Sequence, residues 1–249
     1  MTTAGIVASS GTGQFLRINC SCPDVEWEPQ PLEDDVMAGQ RGAALSGLRV
    51  LDLTQAMPGA VTTMLLADYG ADVLRIDLQR RDVPQSVAGR RTWARGRRCL
   101  GVDPAIAAQR DQVLALATSA DVVVTDLAPA LARDLALDTR AVRDGNPAVV
   151  YVALTGFGLH DERPTPGVDA LVAAELGAMN AATGANRDGP VFLGHPAIAY
   201  STAFTAVIGT LAALHRRLLV GLGDVVDVSL LDGVLAQLTM NWWTEQNVS

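Results

Sequence analysis

Short apolar segments alternating with helical stretches constrain this chain more than any other feature. Residues 48–53, 71–77, 99–103, 120–125, 148–154 and 224–228 are compact runs led by Val, Leu, Ile and Ala. Runs of that length without helical periodicity, bounded by turn residues, read as buried strands. Between them lie helical stretches. Pro58-Gly59 starts a helix through Met64, Leu65 and Leu66 that ends near Gly70, and Pro104 suits the first turn of a helix through Leu116. Short helices follow around 130–135 and 139–144, longer ones over 170–179 and 201–219, and another begins near Leu230. Strands joined through helices run parallel by right-handed crossovers. The pattern predicts a doubly wound, Rossmann-like α/β fold with a mostly parallel sheet.

The regular pattern begins at Leu45. Residues 1–44 carry Gly, Ser and Thr, then Pro23, Pro29 and Pro31 with acids at Glu33, Asp34 and Asp35. They read as a weakly ordered leader or an arm against a partner. Residues 45–233 form the α/β domain, and 234–249 begin a connecting helix or tail. The 49% hydrophobic content supplies a core for one large domain, and 4% aromatics means that Ala, Val and Leu build it.

A formal charge of −8 argues against a general nucleic-acid binder, which normally carries a basic footprint. All 19 basic residues are arginine, so there is no lysine for Schiff-base chemistry. Cys20, Cys22 and Cys99 make no disulfide framework. No second Cys pair or spaced His accompanies Cys20 and Cys22, so no metal is expected. No signal peptide is evident at the N-terminus, and a reduced cytoplasmic setting is the default. The stretch 190–214 lacks Asp, Glu and Arg and is long enough to span a bilayer. Its His195-Pro196 and its dependence on Ala, Ser, Thr and Gly favour a helix buried in a soluble core.

Asp169 follows the glycine-marked loop Thr155-Gly156-Phe157-Gly158 and the turn Pro166-Gly167, and it opens an apolar helix. A carboxylate there suits two roles. It can cap the helix, accepting from the free N–H groups of the first turn. It can also serve as a nucleophile for acyl transfer, splitting one hard step into two. The first βαβ unit ends its second strand at Asp77 but lacks GxGxxG in Thr54-Gln55-Ala56-Met57-Pro58-Gly59, which disfavours NAD. Arg90, Arg91, Arg95, Arg97 and Arg98 form a basic cluster in an acidic chain. Such a cluster either recognises phosphate or balances nearby acids. His160 lies in the loop before Asp169, close enough to reach a site there. His195 precedes a proline, and His215 adjoins Arg216 and Arg217 at a helix end.

Taken in order, these blocks resemble the family III CoA-transferases, which include formyl-, carnitine- and bile-acid-CoA transferases and α-methylacyl-CoA racemases. The pattern "LxGxRVLDLT…PG…LLADxGADV" matches Leu45 through Thr54 and Leu65 through Val73. The "NRGKRS…LD" block is similar to Ala94-Arg95-Gly96-Arg97-Arg98-Cys99 with Val102-Asp103. "ADVxxxNxxPG" is similar to Ala120 through Ala130, "NPxxxYxxxTGFG" to Asn146 through Gly158, and "PGxD" to Pro166-Gly167-Val168-Asp169. "GxGxxVDVSLxDG" runs from Gly221 to Gly233. The departures are Ala94 for Asn, Ala130 for Gly, and Pro196-Ala197-Ile198-Ala199-Tyr200 where family members usually carry an aspartate. Val168 stands where racemases often place His.

The resemblance implies a Rossmann-like domain, interlocked homodimers, and Asp169 as nucleophile, with His160 a further catalytic candidate. It implies coenzyme A, bound as a thioester, at Arg95, Arg97, Arg98, Pro129, Gly156 and Gly158, with Asp77 near the adenosine end. The small-molecule partners would be an acyl-CoA and a carboxylic acid. A helix N-terminus is expected to hold Asp169 ionised. Family members continue through a smaller domain and a glycine-rich lid, absent here, so a second copy or a complementary half is expected to complete the site. The rival expectations are an acyl-CoA racemase and a non-catalytic CoA-binding or structural subunit.

Overall fold

The structure, a computed structural model, describes residues 42–78, 90–161, 167–181, 189–192 and 194–246. Cys20, Cys22, Pro166 and nearly all of the expected leader lie outside these residues. Among the described residues there are six strands: β1 (Arg49–Asp52), β2 (Asp72–Leu78), β3 (Arg97–Val102), β4 (Val122–Thr125), β5 (Val150–Thr155) and β6 (Val225–Ser229). They form one sheet in the order β3-β2-β1-β4-β5-β6. Every pairing is parallel, with Leu51 opposite Leu74 on one side and Val123 on the other. The order reverses between β1 and β4, which in open α/β sheets opens a crevice at the carboxyl ends of the strands.

Alternation along the strands sends side chains to two cores. Leu51, Ile76, Val123 and Tyr151 pack beneath Val113, Ala117, Leu137 and Val142. Those residues belong to or border α3 (Ala107–Ser119), α4 (Pro129–Asp134) and α5 (Thr139–Gly145). On the other face Val50, Val73, Val122, Val124 and Val152 meet Leu66 and Ala206. These come from α1 (Met57–Asp68) and α8 (Ala197–Val220). Tyr151, buried in the sheet, donates its hydroxyl to the Leu137 carbonyl at 2.8 Å, which satisfies its polar end.

Several expected boundaries shift for local reasons. The expected helix over 170–179 is two pieces, α6 (Asp169–Glu175) and α7 (Ala178–Ala181). Gly177 takes a φ of 71° between them, a left-handed conformation that ends a helix. Pro104 lies in a turn ahead of α3, where the Asp103 carboxylate accepts from the Ala105 N–H. The basic cluster contributes the short α2 (Arg90–Trp93) before β3. After β6 comes α9 (Leu230–Gln246), which packs on α8. α8 is long and apolar enough to cross a membrane, yet it packs on α1, β5 and β6. Its outer face exposes Phe204, Ile208, Leu211, Leu218 and Leu219.

One polar knot lies inside this fold. Asp52 at the end of β1 is fully buried, and Arg97 reaches it from β3 at 2.6 Å with only 2% of its side chain exposed. Thr63 of α1 donates to the same carboxylate at 2.8 Å, and Arg97 also reaches the Trp93 carbonyl. Burial lowers the Arg97 pKa, with Asp52 opposing that shift and the Arg75 charge adding to it. Truncating one partner of a buried ion pair strands the other charge, at a cost of about 3–5 kcal/mol. Arg97→Met is therefore expected to lower unfolding free energy by roughly that amount in urea titrations. Asp52→Asn combined with Arg97→Met is expected to recover part of the loss.

Candidate active site

A cleft of about 690 Å³ opens at the carboxyl ends of β1, β4, β5 and β6, over the reversal of strand order. Ala56, Met57 and Pro58 line it after β1, Asp126 through Pro129 after β4, and Thr155 through Gly158 after β5. Gly167, Val168, Asp169 and Ala170 add the mouth of α6, and Ala199 and Thr202 add the first turns of α8. The lining is predominantly apolar with a few carboxylates, the composition of a small-molecule site.

The β5 loop is held in shape by its own donors and acceptors. Gly158, at φ 107°, donates its N–H to Thr155 Oγ1 at 2.7 Å. The Leu159 N–H donates to Asp227 Oδ2 at 3.0 Å, and the Gly156 carbonyl accepts from the Leu231 N–H. A Cβ placed on Gly156 would lie 2.4 Å from the Gly167 Cα. The two glycines let the loop after β5 touch the segment entering α6, and that contact sets where Asp169 stands.

Asp169 is the first residue of α6, and the cap position belongs to Val168, which makes no side-chain cap bond. The expected capping role is thus corrected by one residue. Half-buried in the cleft wall, the Asp169 carboxylate lies near the backbone N–H groups of Ala199 and of Asp169 itself, which favour its charged form. Its pKa is nevertheless raised above 3.8, because burial outweighs those donors. Loss of hydration on burial thus outweighs the backbone donors in setting the direction of the shift.

Of the other expected site residues, Pro129, Gly156 and Gly158 line the cleft, whereas Asp77, His160, Arg95, Arg97 and Arg98 do not. Arg97 is committed to Asp52 inside the fold. Arg95 is bound to Asp68 at 2.9 Å through Nε, and Arg98 to Asp72 at 2.6 Å. The cluster thus ties β3 to its neighbours α1 and β2, and Arg97 has no free face for a phosphate. His160 is exposed in the turn beyond Gly158. Among the described residues there is no cluster of His, Cys, Asp and Glu suited to a metal.

Sequence reasoning missed Asp126. Its carboxylate accepts from the Gln55 N–H at 2.8 Å and the Ala56 N–H at 2.6 Å, and burial lifts its pKa to about 6. The signal was present in the "ADVxxxNxxPG" pattern, where counting from Ala120 places Asp126 at the Asn.

Residues 45–248 match the family model described as CoA-transferase family III. The succinyl-CoA:mesaconate CoA-transferase of Haloarcula hispanica is 33% identical over 211 residues, covering 78% of this chain and 53% of that protein. The formyl-CoA:oxalate CoA-transferase of Streptomyces avermitilis is 30% identical, covering 77% and 49% respectively. The crystal structure of Rv3272 from Mycobacterium tuberculosis aligns with a TM-score of 0.72 at 28% identity, over 83% of this chain and 60% of that one. A CAIB/BAIF family protein from Brucella suis aligns with the same TM-score at 26% identity, over 84% and 60%. The chain spans about half the length of the curated relatives it matches.

The geometry of the cleft mouth is testable without any substrate. Gly156→Ala is expected to push the segment before α6 outward and to cost about 1–3 kcal/mol of stability, as overpacking does. Gly167→Ala is expected to behave alike, because the same contact is crowded from the other side. Urea denaturation of both variants checks this, and a neutral result for both would refute the close approach.

Proposed function

Because the chain belongs to CoA-transferase family III, we propose that it carries the nucleophile-bearing part of an enzyme moving CoA from an acyl-CoA to a carboxylic acid. The observation that carries this reading is the Asp169 carboxylate at the mouth of α6, in the wall of the cleft over the β1–β4 reversal. A half-buried carboxylate at a helix mouth, with its pKa raised by burial, is less hydrated and more nucleophilic than a free one.

The proposed sequence balances without redox chemistry or water. An Asp169 oxygen attacks the thioester carbon, the C–S bond breaks, and CoA leaves as thiolate from a mixed anhydride. The thiolate then attacks the aspartyl carbonyl, the donor acid leaves as carboxylate, and an aspartyl-CoA thioester remains. The acceptor carboxylate attacks that thioester to give a second anhydride and free thiolate. Attack of the thiolate on the acceptor carbonyl yields the new acyl-CoA and restores Asp169. The apolar lining suits such a sequence, because water would hydrolyse each intermediate.

A second copy or a complementary half is proposed to close the cleft. The exposed apolar rim at Val168, Leu171 and Phe192 supports this, as does the length of the relatives. The racemase reading needs proton-transfer groups on both faces of a substrate carbon, and His160 lies outside the cleft lining.

Incubating the chain with succinyl-CoA and hydroxylamine, alone and with a complementary chain, is expected to convert Asp169 to a hydroxamate visible by intact mass. Asp169→Asn is expected to abolish the adduct and lower turnover by on the order of 10⁴-fold or more, as loss of a nucleophile does. Adduct formation in the wild type is expected to fall on acidification, since only the carboxylate attacks. CoA binding without any adduct under either condition would sink this reading.

A further inference from the structure

Asp126 follows β4 and lines the cleft that holds Asp169. Both of its oxygens are engaged. The Gln55 N–H donates to Oδ1 at 2.8 Å and to Oδ2 at 2.9 Å, and the Ala56 N–H donates to Oδ2 at 2.6 Å. The donors lie in the turn that carries β1 into α1, and Ala56 is the cap residue of α1, with no side-chain cap of its own. The acceptor stands 71 positions away from Gln55, in the loop from β4 to α4. These two loops flank the reversal of strand order, so the contact clamps together the two walls at the centre of the cleft.

A clamp does not require a carboxylate. The family pattern carries Asn at this place, and an amide oxygen accepts such N–H bonds without a charge. What the carboxylate adds is a charge that depends on the proton. Burial is the main cause of its upward shift to about 6, and the Asp52 charge adds to it. The Ala56 and Gln55 N–H groups and the Arg75 charge oppose it. Asp52 on β1 and Arg75 on β2 are the charges acting on Asp126, while Asp161 and Asp169 line the same cleft.

We propose that Asp126 is a positioning residue and a charge gate: it clamps the two loops, and in its ionised form it opposes entry of an anionic CoA ligand along that wall. The inference rests on the reading of the cleft as a CoA-thioester site. When the ligand binds, Asp126 takes up a proton, which removes the charge that opposes the anion. Reciprocity follows: a ligand that favours the protonated form raises the proton affinity of Asp126, and acid favours the ligand.

The test is calorimetric titration of the full chain with CoA between pH 5 and 8, for wild type and Asp126→Asn. The CoA phosphates titrate identically in both proteins, so the ratio of the two Kd values isolates residue 126. The ratio of wild-type to variant Kd is expected to rise about tenfold from pH 5 to pH 7.5, the change that one pKa unit of coupling produces. Binding by both proteins at a ratio constant within about twofold (far below that expected change) overturns the gate and leaves the cleft reading standing. Binding by neither overturns both. Carboxyl ¹³C NMR of the wild type is a second readout that survives a variant that fails to fold. Saturation with CoA is expected to move the Asp126 titration midpoint upward, and an unmoved midpoint overturns the gate.

Discussion

The Asp52 carboxylate, enclosed at the end of β1, accepts hydrogen bonds from the Thr54 N–H and hydroxyl, the Thr63 hydroxyl and the Arg97 guanidinium. Through these donors one side chain joins the turn leaving β1, the body of α1 and strand β3, with β2 lying between the two strands. An ion held this far from water is tolerable only when its lone pairs are satisfied. The donors are therefore obliged to stay in place, and they locate the turn carrying Gln55 and Ala56. That turn is one wall of the cleft, and Asp126 fastens it to the opposite wall. The site thus inherits its geometry from a buried pair that does not line it.

Electrostatics around the cleft follow burial more than formal charge. The chain has eight more formal negative than positive charges, yet three arginines near β3 are paired with Asp52, Asp68 and Asp72. Two carboxylates of the cleft, Asp126 and Asp169, move upward, with loss of hydration as the largest cause in each. At Asp169 even the first turn of a helix does not reverse the sign. A cleft of this kind offers basic, weakly hydrated carboxylates against apolar walls, which is the condition acyl transfer to a carboxylate asks for.

The strands were legible because burial on both faces of a parallel sheet demands near-continuous apolar runs, and each such run became a strand within a few residues. Helix edges were less legible. Gly177 breaks a pattern that looked continuous from 170 to 179, and Pro104 stayed outside α3 although proline suits a first turn. The position of Asp169 was legible from its glycines and its helix, but its neighbour Ala199, from α8, was not. The arginines were legible as a cluster and illegible as to partner, since Asp52 lies 45 residues from Arg97.

By itself, then, the sequence determined the strand-helix alternation, the family pattern across residues 45–233, and the carboxylate at the mouth of α6. These depend on local periodicity and on the order of short motifs. Only the tertiary structure decided which side chains share the cleft. Folding brought Asp126 to the turn after β1 and Ala199 to Asp169, turned Arg97 inward, and left His160 outside. The physical reason is that hydrogen bonding and loss of hydration act through distance in space. The crossovers of a doubly wound sheet bring together residues that are far apart in the chain.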